Sequence, residues 1–321
     1  IGDVNILDNF YEYQLYCKSL NSSIQNFNKQ TIIALKKQTK EQLIDTIKQE
    51  YNIEDRTKDT IITIDPKESK DLDDAFGIIK YTDSEYDYRI SVYIANVAIW
   101  MEKLNLWESF SNRIATIYLP DKKRPMLPTI LSECLCSLLE NEERFAFTLD
   151  LYIKDNVIVK HEFKNTCINV NKNYNYSDSS IESDEIYTTT MTVLNKLHKI
   201  FKYTGKITNG HDIINCLMIM INYYSALEFI KFKDGLFRTL TVFSESHQSE
   251  DVPEDIIKFI NIWKNSNGSY QKYSSNLKHE LLQFDAYMHI SSPIRRLVDL
   301  LNMTKFHSIC ELIKNTDLCD K

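Results

Sequence analysis

This sequence is short of the features that make a chain flexible, membranous or disulfide-bound. Only six glycines and six prolines occur among 321 residues, so long flexible linkers are not expected. No apolar run reads as approaching the roughly 18–20 residues that cross a bilayer, and no charged-then-apolar leader opens the chain, so no membrane partner is expected. The seven cysteines (Cys17, Cys134, Cys136, Cys167, Cys216, Cys310 and Cys319) are odd in number, scattered, and form no CxxC pair. That disfavours zinc ribbons and redox motifs and fits reduced thiols in an intracellular compartment, cytoplasm or organelle. Basic charge is also short: 38 Lys and Arg face 45 Asp and Glu, a net charge of −7. The bulk electrostatic argument for a nucleic-acid binder is therefore missing. A nuclease is not excluded, because a metal site needs only local carboxylates and a channel only local basic residues.

What is present suits a globular protein, with 43% hydrophobic and 26% charged residues and enough chain for one large domain or two ordinary ones. Residues 1–55 read as a helical, polar segment. Between Gln25 and Gln49, Phe27, Ile32, Ile33, Leu35, Leu43, Ile44 and Ile47 recur at roughly helical spacing, which suits a packing or partner-binding helix pair. Character changes at Thr60: segments 60–64, 75–81, 88–94 and 145–153 are rich in β-branched and aromatic residues and read as strands. Segments 211–232 and 293–315 read as helices, and the polar stretch 171–186 as a loop. The fold class expected is α+β, a main domain over 56–321 behind a helical preface.

The densest chemistry lies in 61-IITIDPKESKDLDDAFGII-79. Pro66 biases Asp65 toward extended geometry at the end of a strand. A short polar loop then leads to Asp71, Asp73 and Asp74 at the start of the next strand, so four carboxylates meet at one end of a sheet. Like charges this close raise one another's pKa unless a cation neutralises them. Magnesium, which takes oxygen ligands and leaves positions for phosphate oxygens, is such a cation. Alone, the DLDD run also fits a solvated charged turn. An EF-hand does not fit, since the sixth position from Asp71 is Phe76 and the twelfth is Thr82.

A second constellation is 287-YMHISSPIRRLVDLL-301. Ser292 suits an N-cap and Pro293 a first helical residue. Arg295 and Arg296 then fall in the first turn, where they oppose the helix dipole and want an anion. A phosphate would serve, and so would Asp299 through an intrahelical pair with Arg295.

Taken together, these segments resemble the ribonuclease II (RNB) family, which includes the catalytic subunit of the exosome. The acidic string is similar to that family's catalytic motif in all four aspartates. YRISVYIANVAIWM is similar to its "HIADV" strand, and the stretch from RIATIYLPDKKRPMLP to FAFTLDL to its long central signature. HDIINCLMIMIN, GLFR and AYMHISSPIRRLVDLLN are similar to its later motifs, so the resemblance runs from about 56 to 310. It implies 3′→5′ hydrolysis of single-stranded RNA to nucleoside 5′-monophosphates, with one or two magnesium ions for which manganese can substitute. Asp65, Asp71, Asp73 and Asp74 would bind metal, with Asp73 and Asp74 catalytic. Arg295 would stabilise the scissile phosphate, Tyr118 would stack on a nucleotide, and Arg238 and Arg296 would contact RNA. As alternatives, Tyr118 is core packing and Arg238 a structural ion pair. Departures from the pattern fall elsewhere. Asn215 and Cys216 stand where the family has a Glu pair, and Tyr93 and Asn96 where it has His and Asp. The family's flanking barrels find no room in this sequence, and protein partners that supply that RNA-binding surface are one expectation; the sequence leaves open whether there are any.

Overall fold

The computed structural model describes residues 6–82, 84–197, 205–241, 253, 256 and 268–309. Its centre is a seven-stranded mixed sheet built from β1 (Ile53–Arg56), β2 (Ile62–Asp65), β3 (Asp74–Lys80), β4 (Tyr88–Ala95), β7 (Glu143–Lys154), β8 (Val157–Asn169) and β9 (Lys172–Asn175). The spatial order is β1-β8-β7-β4-β3-β2-β9. The outermost pairs, β1 with β8 and β2 with β9, are parallel, and every inner pair is antiparallel. Two small pairs stand apart: β5 (Ile117–Tyr118) with β6 (Lys123–Arg124), and β10 (Leu236–Thr239) with β11 (Ser269–Lys272). The longest hairpin, β7–β8, turns on Asp155 and Asn156, both at positive φ (50° and 61°). Asx residues tolerate that left-handed region, and two such residues in succession match the twist of the strands they join.

β4 is buried without interruption from Ile90 to Ala95, so both faces of the sheet are covered there. α4 (Val97–Lys103), α5 (Glu185–Leu197), α6 (Gly210–Phe232) and α7 (Leu297–Ile309) supply much of the covering. α6 corrects one expectation. By length and composition it is apolar enough to cross a bilayer, yet 56% of its most apolar window is buried inside the protein, as befits a core helix.

The helical preface is three helices, α1 (Leu7–Cys17), α2 (Gln25–Leu35) and α3 (Lys40–Glu50). A capping box between Thr39 and Gln42 starts α3. Leu43, Ile47 and Tyr51 then enter the main core, and β1 joins the sheet directly from Ile53. The preface therefore packs on the same core as the sheet. The stretch 171–186 differs from the expected loop. It contains β9, a short 3-10 turn at Ser179–Ser183 and the start of α5. β8 went unread because its run VIVKHEFKNTCIN is half polar and its exposed residues face water.

Two departures from the family pattern have structural duties. Asn96 caps α4 by accepting from the Ile99 N–H (3.3 Å), and its Nδ2 donates to Asn165 Oδ1 (2.9 Å). Tyr93 is fully buried beside Arg56. Arg56 forms a fully buried, two-pronged pair with Asp150 (2.7 and 2.5 Å), tying β1 to β7, and Ser91 Oγ donates to the same carboxylate (2.7 Å). Burial opposes charge on Asp150, but Arg56 more than compensates and holds its carboxyl below the usual range. Asp150→Ala, which leaves the buried guanidinium with only the half-exposed Glu54 as a counter-charge (2.8 Å), should cost about 3–5 kcal/mol in a denaturant titration. A loss below about 1 kcal/mol would show that the pair is not desolvated as described.

Candidate active site

β2 ends at Asp65, and the chain turns at Pro66 on a Ser69 N–H to Pro66 C=O bond (2.9 Å) before β3 begins at Asp74. Leu72 anchors the intervening segment. Its N–H donates to Ser137 Oγ (3.0 Å) and its C=O accepts from the Leu138 N–H (3.1 Å). The four carboxylates then diverge in what they touch. Asp73, 3% exposed, accepts from the Ile294 N–H (2.9 Å) and from Arg295 Nε (3.2 Å). Asp71 is held by Lys123 Nζ (2.8 Å). Asp65 and Asp74 lie in each other's field, and Asp65 Oδ2 is buried without a hydrogen-bond partner.

Burial pushes the carboxyls of Asp65, Asp73 and Asp74 up to about 7. Neighbouring aspartates add to that push in each case, and the Arg295 guanidinium opposes it. Among the described residues no three His, Cys, Asp or Glu side chains converge closely enough to hold a metal between them. The aspartates thus line one place without forming a closed cage. A hard cation suits it on one specific ground: the orphaned Asp65 Oδ2 beside Asp74 is an oxygen donor with nothing to bind.

The arginine segment differs from expectation. α7 begins at Leu297 rather than Pro293, and Ser292 to Arg296 form a separate turn in which the N–H groups of Arg295 and Arg296 both donate to the Ser292 C=O. A helix from Pro293 would need the Leu297 N–H, but that group donates to the Ile114 C=O (2.8 Å). Asp299 pairs with Arg296 (2.7 Å) rather than with Arg295, and also accepts from the Ser292 N–H (2.8 Å). Arg295 is left with Asp73 and Ser292 Oγ (3.0 Å), its side chain 46% exposed.

Tyr118 on β5 is 58% exposed rather than core packing. Desolvation of its hydroxyl, followed by the charge of Asp71, pushes its pKa up to about 12, so the ring stands beside the acidic set and Arg295. Arg238 on β10 donates to the Gly268 C=O and, among the described residues, pairs with no carboxylate, contrary to the structural ion pair weighed for it. Asn215 is exposed and Cys216 is buried in the core cluster, so only Asn215 offers a polar group to solvent.

Three participants escaped the sequence reading. Lys123 lay in a motif valued for its prolines. Tyr176 and His211 stack face to face (3.5 Å between centroids, 5° apart) beside Asp74 and Asp65. The Tyr-rich run NYNY was the available signal, hidden by its polar surroundings. Asn215 follows His211 by four residues on α6, so it shares the face that meets this stack.

Residues 53–204 match the RNB domain. The chain carries an RNB domain and is homologous to the RNase R and Dis3/Rrp44 exoribonucleases. It is 29% identical to "Ribonuclease R 2" of Lactococcus lactis over 77% of this chain and 48% of that protein. It therefore spans about half the length of that relative. Its fold is shared with Mycoplasma genitalium RNase R in complex with ribose-methylated single-stranded RNA (TM-score 0.59, 19% identity, 80% of this chain and 51% of that one). The fold is also that of yeast Ssd1, a pseudonuclease (TM-score 0.64, 12% identity, 83% of this chain and 41% of that one).

Proposed function

We propose that this chain is a magnesium-dependent 3′→5′ exoribonuclease that hydrolyses single-stranded RNA to nucleoside 5′-monophosphates. The observation that carries this reading is the orphaned Asp65 oxygen beside Asp74, with Arg295 adjoining through Asp73. Asp65 and Asp74 would hold the ion, with Asp71 and Asp73 as the remaining acids of the set. Bound there, magnesium would supply charge to phosphodiester oxygens and lower the pKa of a water molecule. Asp73 fixes the Ser292–Arg296 turn through the Ile294 N–H and orients Arg295, which can meet charge developing on a phosphate. Tyr118 offers an exposed ring on which a base can stack without regard to sequence.

The second reading is a degenerate RNB-fold RNA-binding or structural subunit of a larger assembly. Its support is the Lys123–Asp71 pair, which already neutralises one acid, and the lack of an acid at Asn215 and Cys216. Its fold neighbour Ssd1 is a pseudonuclease. Substrate ends separate the two readings. With magnesium, the nuclease should convert 3′-free RNA to mononucleotides and leave 3′-phosphorylated or circular RNA intact. Binding without any product would favour the second reading, and cuts within a circle would contradict the proposed direction of attack.

A further inference from the structure

The small β10–β11 sheet carries a cationic, aromatic surface that the acidic site does not use. Arg238 on β10 and Tyr270 on β11 are direct cross-strand partners, and the guanidinium lies 5.0 Å from the centre of the tyrosine ring. Gly268 makes that placement possible, since a Cβ there would sit 2.5 Å from Arg238 Cζ. The Tyr270 hydroxyl is fixed by His289 Nδ1 (2.6 Å), while the ring remains 44% exposed. Arg296 approaches from the turn that carries Arg295 and bears on both Tyr270 and His289. Burial, followed by the charges of Arg296 and Arg238, drives His289 down to about 3, so it stays neutral and can accept from the tyrosine.

The carboxylate whose charge bears on Tyr270 is Asp299, which is fully buried and accepts through Oδ1 from Arg296 and the Ser292 N–H. Arg238 therefore lies over an exposed ring without a carboxylate partner among the described residues, and Arg296, paired with the buried Asp299, acts on the same ring by its charge, in a chain whose net charge is −7. An anchored aromatic ring with flanking cations is the chemistry that holds single-stranded nucleic acid, the ring taking a base and the cations taking phosphates. We propose that Arg238, Tyr270 and Arg296 form a second nucleotide subsite, in which Tyr270 stacks on a base and the two arginines hold adjoining phosphates. This rests on the RNA-binding reading above and adds Tyr270, with His289 as its positioning residue. An acidic segment of a protein partner would use the arginines but have no need of the stacked base.

Fluorescence anisotropy of labelled single-stranded RNA in EDTA, where no hydrolysis intervenes, tests the subsite. Tyr270→Ala should weaken binding roughly five- to a hundredfold, the range spanned by stacking on one base. Tyr270→Phe, which keeps the ring, should stay much closer to wild type. Arg238→Gln should flatten the slope of log K against log salt by about 0.7, the contribution of one phosphate on a single strand. Melting temperatures measured alongside identify any variant that fails to fold, and Tyr270→Leu, which keeps apolar bulk without a ring, takes the place of Tyr270→Ala if that variant does. Wild-type binding that neither Tyr270→Ala nor Arg238→Gln alters would overturn the subsite and leave the functional reading standing. Binding that responds to Arg238→Gln but not to Tyr270→Ala would also overturn it, as expected of an acidic partner surface. No RNA binding by the wild type would overturn the functional reading itself.

Discussion

Arg295→Ala is expected to lower kcat by about 10²–10³, with KM changed far less, because the guanidinium acts on charge that develops only during reaction. The chain holds Arg295 through Asp73 (3.2 Å) and Ser292 (3.0 Å) while leaving its side chain 46% exposed, so it is anchored at one end and open at the other. Arg295→Lys should recover little, since a point charge cannot reproduce the fork that binds Asp73 and a phosphate together. Asp73→Asn should lower kcat at least as far. It strikes the acidic set and also loosens the turn that the Ile294 N–H ties down. Steady-state kinetics on a short RNA would measure both. A rise in KM with kcat intact for Arg295→Ala would mean that the residue binds ground and transition states equally and does not act on the chemical step.

Without a divalent ion, the protein should lose stability as pH rises from about 5 to 8. Asp65, Asp73 and Asp74 have folded pKa values near 7, above the 3.8 of a free carboxyl. Between those two values the folded state carries more protons than the unfolded chain, so unfolding free energy falls as pH rises, and the penalty is complete once pH exceeds the folded pKa. Each pKa unit corresponds to about 1.4 kcal/mol, so the melting temperature should drop by several degrees across this window. Magnesium at pH 8 should restore it by binding only the folded state. Asp74→Asn removes one charge from the cluster. It should raise the metal-free melting temperature at pH 8, flatten the pH dependence and abolish the magnesium response. Identical pH profiles for wild type and Asp74→Asn would mean that the carboxylates are solvated and not mutually strained.

The parts legible in the sequence were those in which local chemistry and tertiary role agree. Apolar, β-branched runs at 60–64, 75–81, 88–94 and 145–153 became β2, β3, β4 and β7, because a strand buried on both faces must be apolar throughout. The DLDD cluster stands out because four aspartates in ten residues need a reason. The hidden parts depend on contacts distant in sequence. Nothing local to PIRRL says that the Leu297 N–H will be taken by Ile114, which delays the helix by a turn. Lys123 is 52 residues from Asp71, and the Tyr176–His211 stack joins a polar stretch to the start of α6. β9 was concealed because a four-residue edge strand needs only one buried side chain, here Tyr174.

The same contacts explain why Asn215 and Cys216, one departure in sequence, are two in space. Cys216 belongs to the core, and burial pushes its thiol up to about 12. A glutamate there would be desolvated, whereas one at exposed Asn215 could reach solvent or substrate.

The most direct measurement follows a 5′-labelled single-stranded RNA with the purified chain in magnesium, in EDTA, and with Asp74→Asn in magnesium. The account predicts progressive shortening from the 3′ end in the first reaction alone, with nucleoside 5′-monophosphates released. Intact RNA in all three, from a chain that is folded and binds the strand, would contradict it.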